Sequence, residues 1–195
     1  IWKYADPDSA ELRDALAAFH GVARDEIVIG EGIDGLLGLT CDLFLTAGDR
    51  VVTTDGAYPT FNFHVARRGA GLHRVPMHAM REDLGALIAC AEDVEAKLIY
   101  VSNPNNPVGS HWDAAAIQSA MARVPSGALL ILDEAYCDTA PPAAIAPFDT
   151  AQDNVLRYRT FSKAYGLAGA RVGYAVGDAR VIAGLERVRN QYGIN

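Results

Sequence analysis

Lys163 follows Ser162 directly and precedes Arg171 by eight positions, in a segment that leaves the strand read at 155–160. A lysine amine at a strand end can condense with a carbonyl to form a Schiff base, and the neighbouring hydroxyl and guanidinium can hold a phosphate. A plain surface lysine is the competing reading. Asp133 closes the apolar run 128–132. A carboxylate buried there is costly unless it faces a cation, and a protonated ring nitrogen would supply one. A helix cap or a metal ligand would equally account for Asp133 taken alone.

Such groups converge only if the elements carrying them end on one edge. The runs 97–101 and 128–132 are almost wholly apolar, as strands covered on both faces must be, with helical sequence at 114–122 between them. Residues 26–29, 50–53, 72–75, 155–160 and 172–176 read as further strands. A first helix is expected from a cap at Asp8-Ser9-Ala10-Glu11, with Leu12, Ala15, Leu16 and Phe19 on its apolar face and Gly21 as its stop. A second follows Gly30-Glu31-Gly32, with Ile33, Leu36, Leu37, Thr40, Cys41 and Phe44 as its stripe; a third begins after Pro59, and a last one runs from Val181 to Asn195. Residues 139–147 read as a Pro/Ala-rich surface loop. Strands alternating with helices predict an α/β fold, a mostly parallel sheet with helices on both faces. Ligands of such sheets sit beyond the carboxyl ends of the strands. There the chain reads Asn103-Pro104-Asn105-Asn106-Pro107, Asp133-Glu134-Ala135-Tyr136 and Ser162-Lys163.

SNPNNPVG at 102–109, DEAY at 133–136 and TFSKAYGLAGARVGY at 160–174, in that order and spacing, resemble the pyridoxal-phosphate aminotransferases of fold type I. Tyr4-Ala5-Asp6-Pro7, Leu12-Arg13 and Gly30-Glu31-Gly32-Ile33-Asp34 are most similar to the histidinol-phosphate branch of that family. The resemblance covers nearly the whole chain. It implies that residues 1–195 are a large cofactor-binding domain, incomplete, with an N-terminal segment and a C-terminal small domain outside this chain. Pyridoxal 5'-phosphate is the cofactor implied. Lys163 would bind it as a Schiff base and act as general acid and base, and Asp133 would pair with the pyridine nitrogen. Tyr136 and Asn106 would donate to the phenolic oxygen, lowering the pKa of the Schiff base, and Tyr58 would stack on the ring. The phosphate would lie on the Ile33 and Asp34 amides at a helix N-terminus, with Thr160, Ser162 and Arg171 completing the cup. Tyr4 would reach the phosphate in a neighbouring subunit, implying a homodimer with shared sites. Val108 and Ala57 stand where relatives carry threonine, at positions that supply no chemistry. The arginine that grips the substrate carboxylate in this family lies beyond Asn195.

The implied reaction is transamination between an amino donor, an amino acid or amino-alcohol phosphate, and a 2-oxo acid, here histidinol phosphate with 2-oxoglutarate. Aromatic or other amino acids, a threonine-phosphate decarboxylase using the same apparatus, and a non-catalytic cofactor-sensing regulatory domain are the alternatives. Gly30 to Gly35 also fits G-x-G-x-x-G, but a nucleotide-dependent dehydrogenase has no use for the Asn-Pro, Asp and Lys set.

A formal charge of −7 on 195 residues opposes general binding to a phosphate backbone, so no nucleic-acid partner is expected. No apolar run approaches the ~20 residues that span a bilayer, and no signal peptide is seen, so no membrane partner is expected either. Cys41, Cys90 and Cys137, odd in number and far apart, fit a reducing compartment, with the cytoplasm as the expected location. The five histidines share no ligand spacing, so no metal is expected. His64 is read as structural rather than a substrate contact, Cys137 as packing, and Arg67-Arg68 as a solvated helix end.

Overall fold

The computed structural model describes residue 4 and residues 6–194. All seven strands form where the apolar runs place them: β1 (Ile27–Glu31), β2 (Arg50–Thr54), β3 (Gly71–Val75), β4 (Leu98–Ser102), β5 (Leu129–Asp133), β6 (Val155–Thr160) and β7 (Val172–Gly177). They make one sheet in the order β1-β7-β6-β5-β4-β2-β3. Pairing from β3 across to β6 is parallel, whereas β7 runs antiparallel to both β6 and β1. Six strands therefore end on one edge, and β7 begins there.

The two-residue period of the strands sends alternate side chains to opposite faces. Val51, Leu98, Tyr100, Ile131 and Tyr158 pack under α2 (Gly32–Phe44), α3 (Thr60–Arg67) and α6 (Ala179–Val188). Val52, Ile99, Val101, Leu130 and Leu132 pack against α4 (Leu84–Asp93) and α5 (Ala114–Met121). A smaller cluster seats Leu16 of α1 (Ala10–His20) on Ile27, Ile29, Tyr174 and Val176. With helices on both faces, every residue of β4 and β5 is buried, which explains their unbroken apolar composition. Gly32, at φ 72°, makes the left-handed entry into α2. Gly173 lies so close to it that a Cβ would stand 2.7 Å from the Gly32 carbonyl carbon.

Several expectations need correction. The cap of α1 is Asp6, whose carboxylate accepts from the Ala10 and Asp8 amides at 2.8 and 3.1 Å, while the Ser9 side chain caps nothing. Phe19 points outward at 72% exposure instead of joining the core. The last helix starts at Ala179, capped by Asp178, and stops at Val188, so residues 189–194 are not helical; Asn195 lies outside the described residues. Residues 139–147 are not simply a surface loop, because Ala144 and Ala146 are buried and a 3-10 turn, Pro142–Ala144, lies within the segment. α4 was not expected; Asp83 caps it by accepting from the Ala86 amide at 2.9 Å. None of the helices is long and apolar enough to cross a membrane among the described residues.

Candidate active site

One pocket opens at the carboxyl edge of the sheet. Ile33, Asp34, Tyr58, Asn106, Asp133, Tyr136, Thr160, Ser162, Lys163 and Arg171 line it, together with Leu37, Tyr100, Ser102, Pro104 and Ala135. Every site residue expected from sequence is there except Tyr4, which lies outside the pocket, is 85% exposed and sits against Tyr192.

Asp133 is the last residue of β5, and its carboxylate is buried. Oδ1 accepts from the Ala135 amide at 2.9 Å and Oδ2 from the Tyr100 hydroxyl at 2.7 Å. Burial pushes the Asp133 pKa upward, while the two hydrogen bonds and the Lys163 charge oppose it. No cation pairs with this carboxylate among the described residues. Lys163 stands in the turn after β6, closed by the Gly166 amide on the Lys163 carbonyl at 2.9 Å. Its Nζ is 5.1 Å from the centre of the Tyr136 ring.

The opposite wall is built for an anion. The first amides of α2 have no intrahelical partner and carry the positive end of the helix dipole. Arg171 reaches this turn, with Nη1 donating to the Ser162 hydroxyl at 3.4 Å and the Ala168 carbonyl at 3.2 Å. It does so from a left-handed backbone, φ 53°, which costs a non-glycine residue about 1–2 kcal/mol. A Cβ on Gly32 would sit 2.6 Å from Arg171 Nη2, so glycine keeps the cup open. The Thr160 hydroxyl is engaged internally, donating to the Val172 carbonyl at 3.3 Å and accepting from the Ser162 amide at 3.1 Å. The Asp34 side chain turns to His64, whose Nε2 is 3.0 Å from Oδ1, leaving the Asp34 amide at the helix start. Arg67 pairs with Asp42 and Arg68 donates to the Leu45 carbonyl, so both are structural.

Sequence reasoning passed over the supports of this site. Glu134, next to Asp133, is buried between Arg157 at 2.6 Å and Arg159 at 3.2 Å, and both guanidiniums lie over the Phe148 ring. Tyr100, stacked on Phe61 with ring centres 4.7 Å apart, and Glu82 were also passed over. Glu134 lies inside the DEAY motif, but its pairing had a signal only in the two arginines, Arg157 and Arg159, that alternate along β6. Among the described residues no cluster could hold a metal ion, and Cys41, Cys90 and Cys137 are free thiols, Cys137 buried.

The family model for aminotransferase class I and II matches residues 1–194. The histidinol-phosphate aminotransferase of Moorella thermoacetica is 38% identical, over 100% of this chain and 51% of its own length. A crystal structure of histidinol-phosphate aminotransferase from Sinorhizobium meliloti, in complex with pyridoxal-5'-phosphate, is 48% identical with a TM-score of 0.96, over 99% of this chain and 53% of that one. The L-threonine-O-3-phosphate decarboxylase of Porphyromonas gingivalis, 23% identical with a TM-score of 0.86, shares the fold over 99% of this chain and 59% of that one. The chain spans about half the length of the curated relatives it matches.

Proposed function

This chain belongs to the class I and II aminotransferase family, and we propose that it is the large cofactor-binding part of a transaminase holding pyridoxal 5'-phosphate in the Lys163 pocket. The observation that carries this reading is the meeting of Asn106, Asp133 and Lys163, from the ends of three different strands, in one pocket with an anion cup. The residues fit the group. Asp133, buried without a cation, suits a protonated ring nitrogen, and the α2 amides with Ser162 and Arg171 suit a phosphate.

When bound, the cofactor supplies an electron sink for negative charge developing at the substrate's α carbon. Lys163 Nζ is the anchoring nucleophile and, when free, the base that holds and moves the proton from that carbon. Asp133 would keep the ring nitrogen protonated. Asn106 and Tyr136 would donate to the phenolic oxygen, Tyr58 would cover the ring face, and Thr160, which accepts from the Ser162 amide, would fix Ser162 for the phosphate. The substrates are histidinol phosphate and 2-oxoglutarate, a choice supported by the Moorella and Sinorhizobium relatives. Tyr4, exposed and away from its own pocket, suits a homodimer in which it reaches the partner's phosphate. Three free thiols suit the cytoplasm.

The test is to add pyridoxal 5'-phosphate to the full-length parent protein, reduce with borohydride and map the modified peptide by mass spectrometry. A label on Lys163, absent in Lys163→Ala, together with formation of a new oxo product from histidinol phosphate, is expected. Label scattered over surface lysines would overturn the reading, and carbon dioxide released from L-threonine O-3-phosphate, with no oxo product from histidinol phosphate, would replace transamination by decarboxylation.

A further inference from the structure

We propose that Glu82 is the positioning residue of the loop 103–107, holding the Asn106 amide at the rim of the Lys163 pocket; the inference rests on the cofactor reading above. Glu82 is 2% exposed and lies between the ends of β2 and β4. It follows a tight turn in which the His78 and Arg81 amides each donate to the other residue's carbonyl at 2.9 Å. The two residues inside that turn, Ala79 and Met80, are left-handed at φ 48° and 58°. Neither is a glycine, so holding them there costs about 1 kcal/mol or more each.

Four donors converge on the Glu82 carboxylate. Oε2 accepts from the Thr54 hydroxyl at 3.0 Å, and Oε1 from the Ser102 amide at 3.2 Å, the Ser102 hydroxyl at 2.9 Å and Asn105 Nδ2 at 2.6 Å. A carboxylate, with two oxygens and about four lone-pair sites, matches that set. No lysine, arginine or histidine pairs with it among the described residues. Its charge is compensated by hydrogen bonds alone, an arrangement that fixes geometry at the expense of desolvation. Burial pushes the Glu82 pKa upward and the four donors oppose that shift.

From Glu82 the restraint passes to the loop along two routes. Asn105, held by Nδ2, accepts from the Val108 amide through Oδ1 at 3.1 Å, and its backbone bonds both Ser110 and Gly109. The Glu82 carbonyl accepts from Trp112 Nε1 at 2.9 Å, and the Trp112 amide donates to Asn103 Oδ1 at 2.8 Å. Both flanks of the Pro104–Asn106 stretch thus hang on Glu82. The Asn106 side chain has no hydrogen-bond partner among the described residues, so its backbone decides where it points.

The test uses the full-length parent loaded with pyridoxal 5'-phosphate, whose visible band changes with pH. A hydrogen bond from Asn106 to the phenolic oxygen lowers the midpoint of that change. Glu82→Ala is expected to raise the midpoint by about 1 pH unit, the size of one lost hydrogen bond to a charged group. In an Asn106→Ala background the same substitution is expected to add nothing. Glu82→Gln, which retains an oxygen for the Ser102 and Asn105 donors, is expected to stay near the wild-type midpoint. Should Glu82→Ala fail to fold, Asn105→Ala cuts the 2.6 Å link, leaves the buried carboxylate its other three donors, and is expected to give the same rise. A midpoint unmoved by Glu82→Ala or Asn105→Ala, or a rise that persists undiminished without the Asn106 side chain, would overturn the proposal while leaving the cofactor reading intact. A wild-type protein with no visible band would overturn the cofactor reading and this inference with it.

Discussion

The Tyr100 hydroxyl donates a 2.7 Å hydrogen bond to Oδ2 of Asp133 across two adjacent parallel strands. Among the described residues it is one of two donors on a buried carboxylate, and the other is the Ala135 backbone amide, which no side-chain truncation removes. A hydrogen bond to a charged group contributes roughly 1.5–3 kcal/mol. Tyr100→Phe keeps the stacking on Phe61 and removes only this donor. Affinity for pyridoxal 5'-phosphate in the parent protein is expected to fall about 10-fold or more, read by equilibrium dialysis. Unchanged affinity would show that Asp133 is held well enough by its backbone contact.

Glu134 compensates two buried guanidiniums at once. Glu134→Ala leaves Arg157 and Arg159 without their counter-charge in the interior, a change expected to destabilise by about 3–5 kcal/mol. The denaturation midpoint should drop accordingly. If it does not move, the carbonyls of Ala146 and Pro147 and the Phe148 ring are sufficient partners for Arg157.

The close approach of Gly173 to the Gly32 turn gives a steric test. Gly173→Ala places a methyl 2.7 to 2.9 Å from backbone atoms of Gly32 and Ile33 and must push β7 away from the anion cup. Loss of cofactor retention on gel filtration is expected. Gly169→Ala, which meets nothing within 4 Å, is the control and should retain cofactor.

His20 provides a pH signature outside the pocket. Burial first, and then the charges of Arg159 and Arg157, lower its pKa to about 4, while Nε2 faces the Tyr174 hydroxyl at 2.8 Å. Between about 4 and the ordinary 6.5 the unfolded chain binds a proton here that the folded chain does not. This stabilisation is therefore fully present above pH 6.5 and is lost as pH falls towards 4. A titration of 13C-labelled histidine by NMR should find one resonance with a midpoint near 4; a midpoint near 6.5 for His20 would contradict it.

What could be read from sequence follows from the range of the forces involved. The strands were legible because a doubly covered strand must be apolar along its length, as β4 and β5 are. The pocket residues were legible because strand ends converge on one edge and the motifs at 102–109, 133–136 and 160–174 resemble a known family. α4 escaped notice because its face is small: alanines and a cysteine interleave with Leu84, Leu87 and Ile88 and blur the helical period. The contacts of Glu82 with Thr54 and Ser102, of Tyr100 with Asp133, and of Glu134 with Arg157 join residues 20 to 33 positions apart. Such pairings depend on which strands become neighbours, and local patterning carries no trace of that.

The place of β7 in the sheet sets a timetable for synthesis. Among the described residues β1 pairs only with β7, and the Gly32 turn is completed by Gly173 and Arg171, so the first strand waits for the last one. At about 5–20 residues per second, a ribosome needs roughly 7–30 s to travel between them. During that interval β2 to β6 can assemble from near neighbours, while β1 keeps an unpaired edge and the anion cup does not exist. The nascent chain can therefore gain its framework well before it can gain its cofactor.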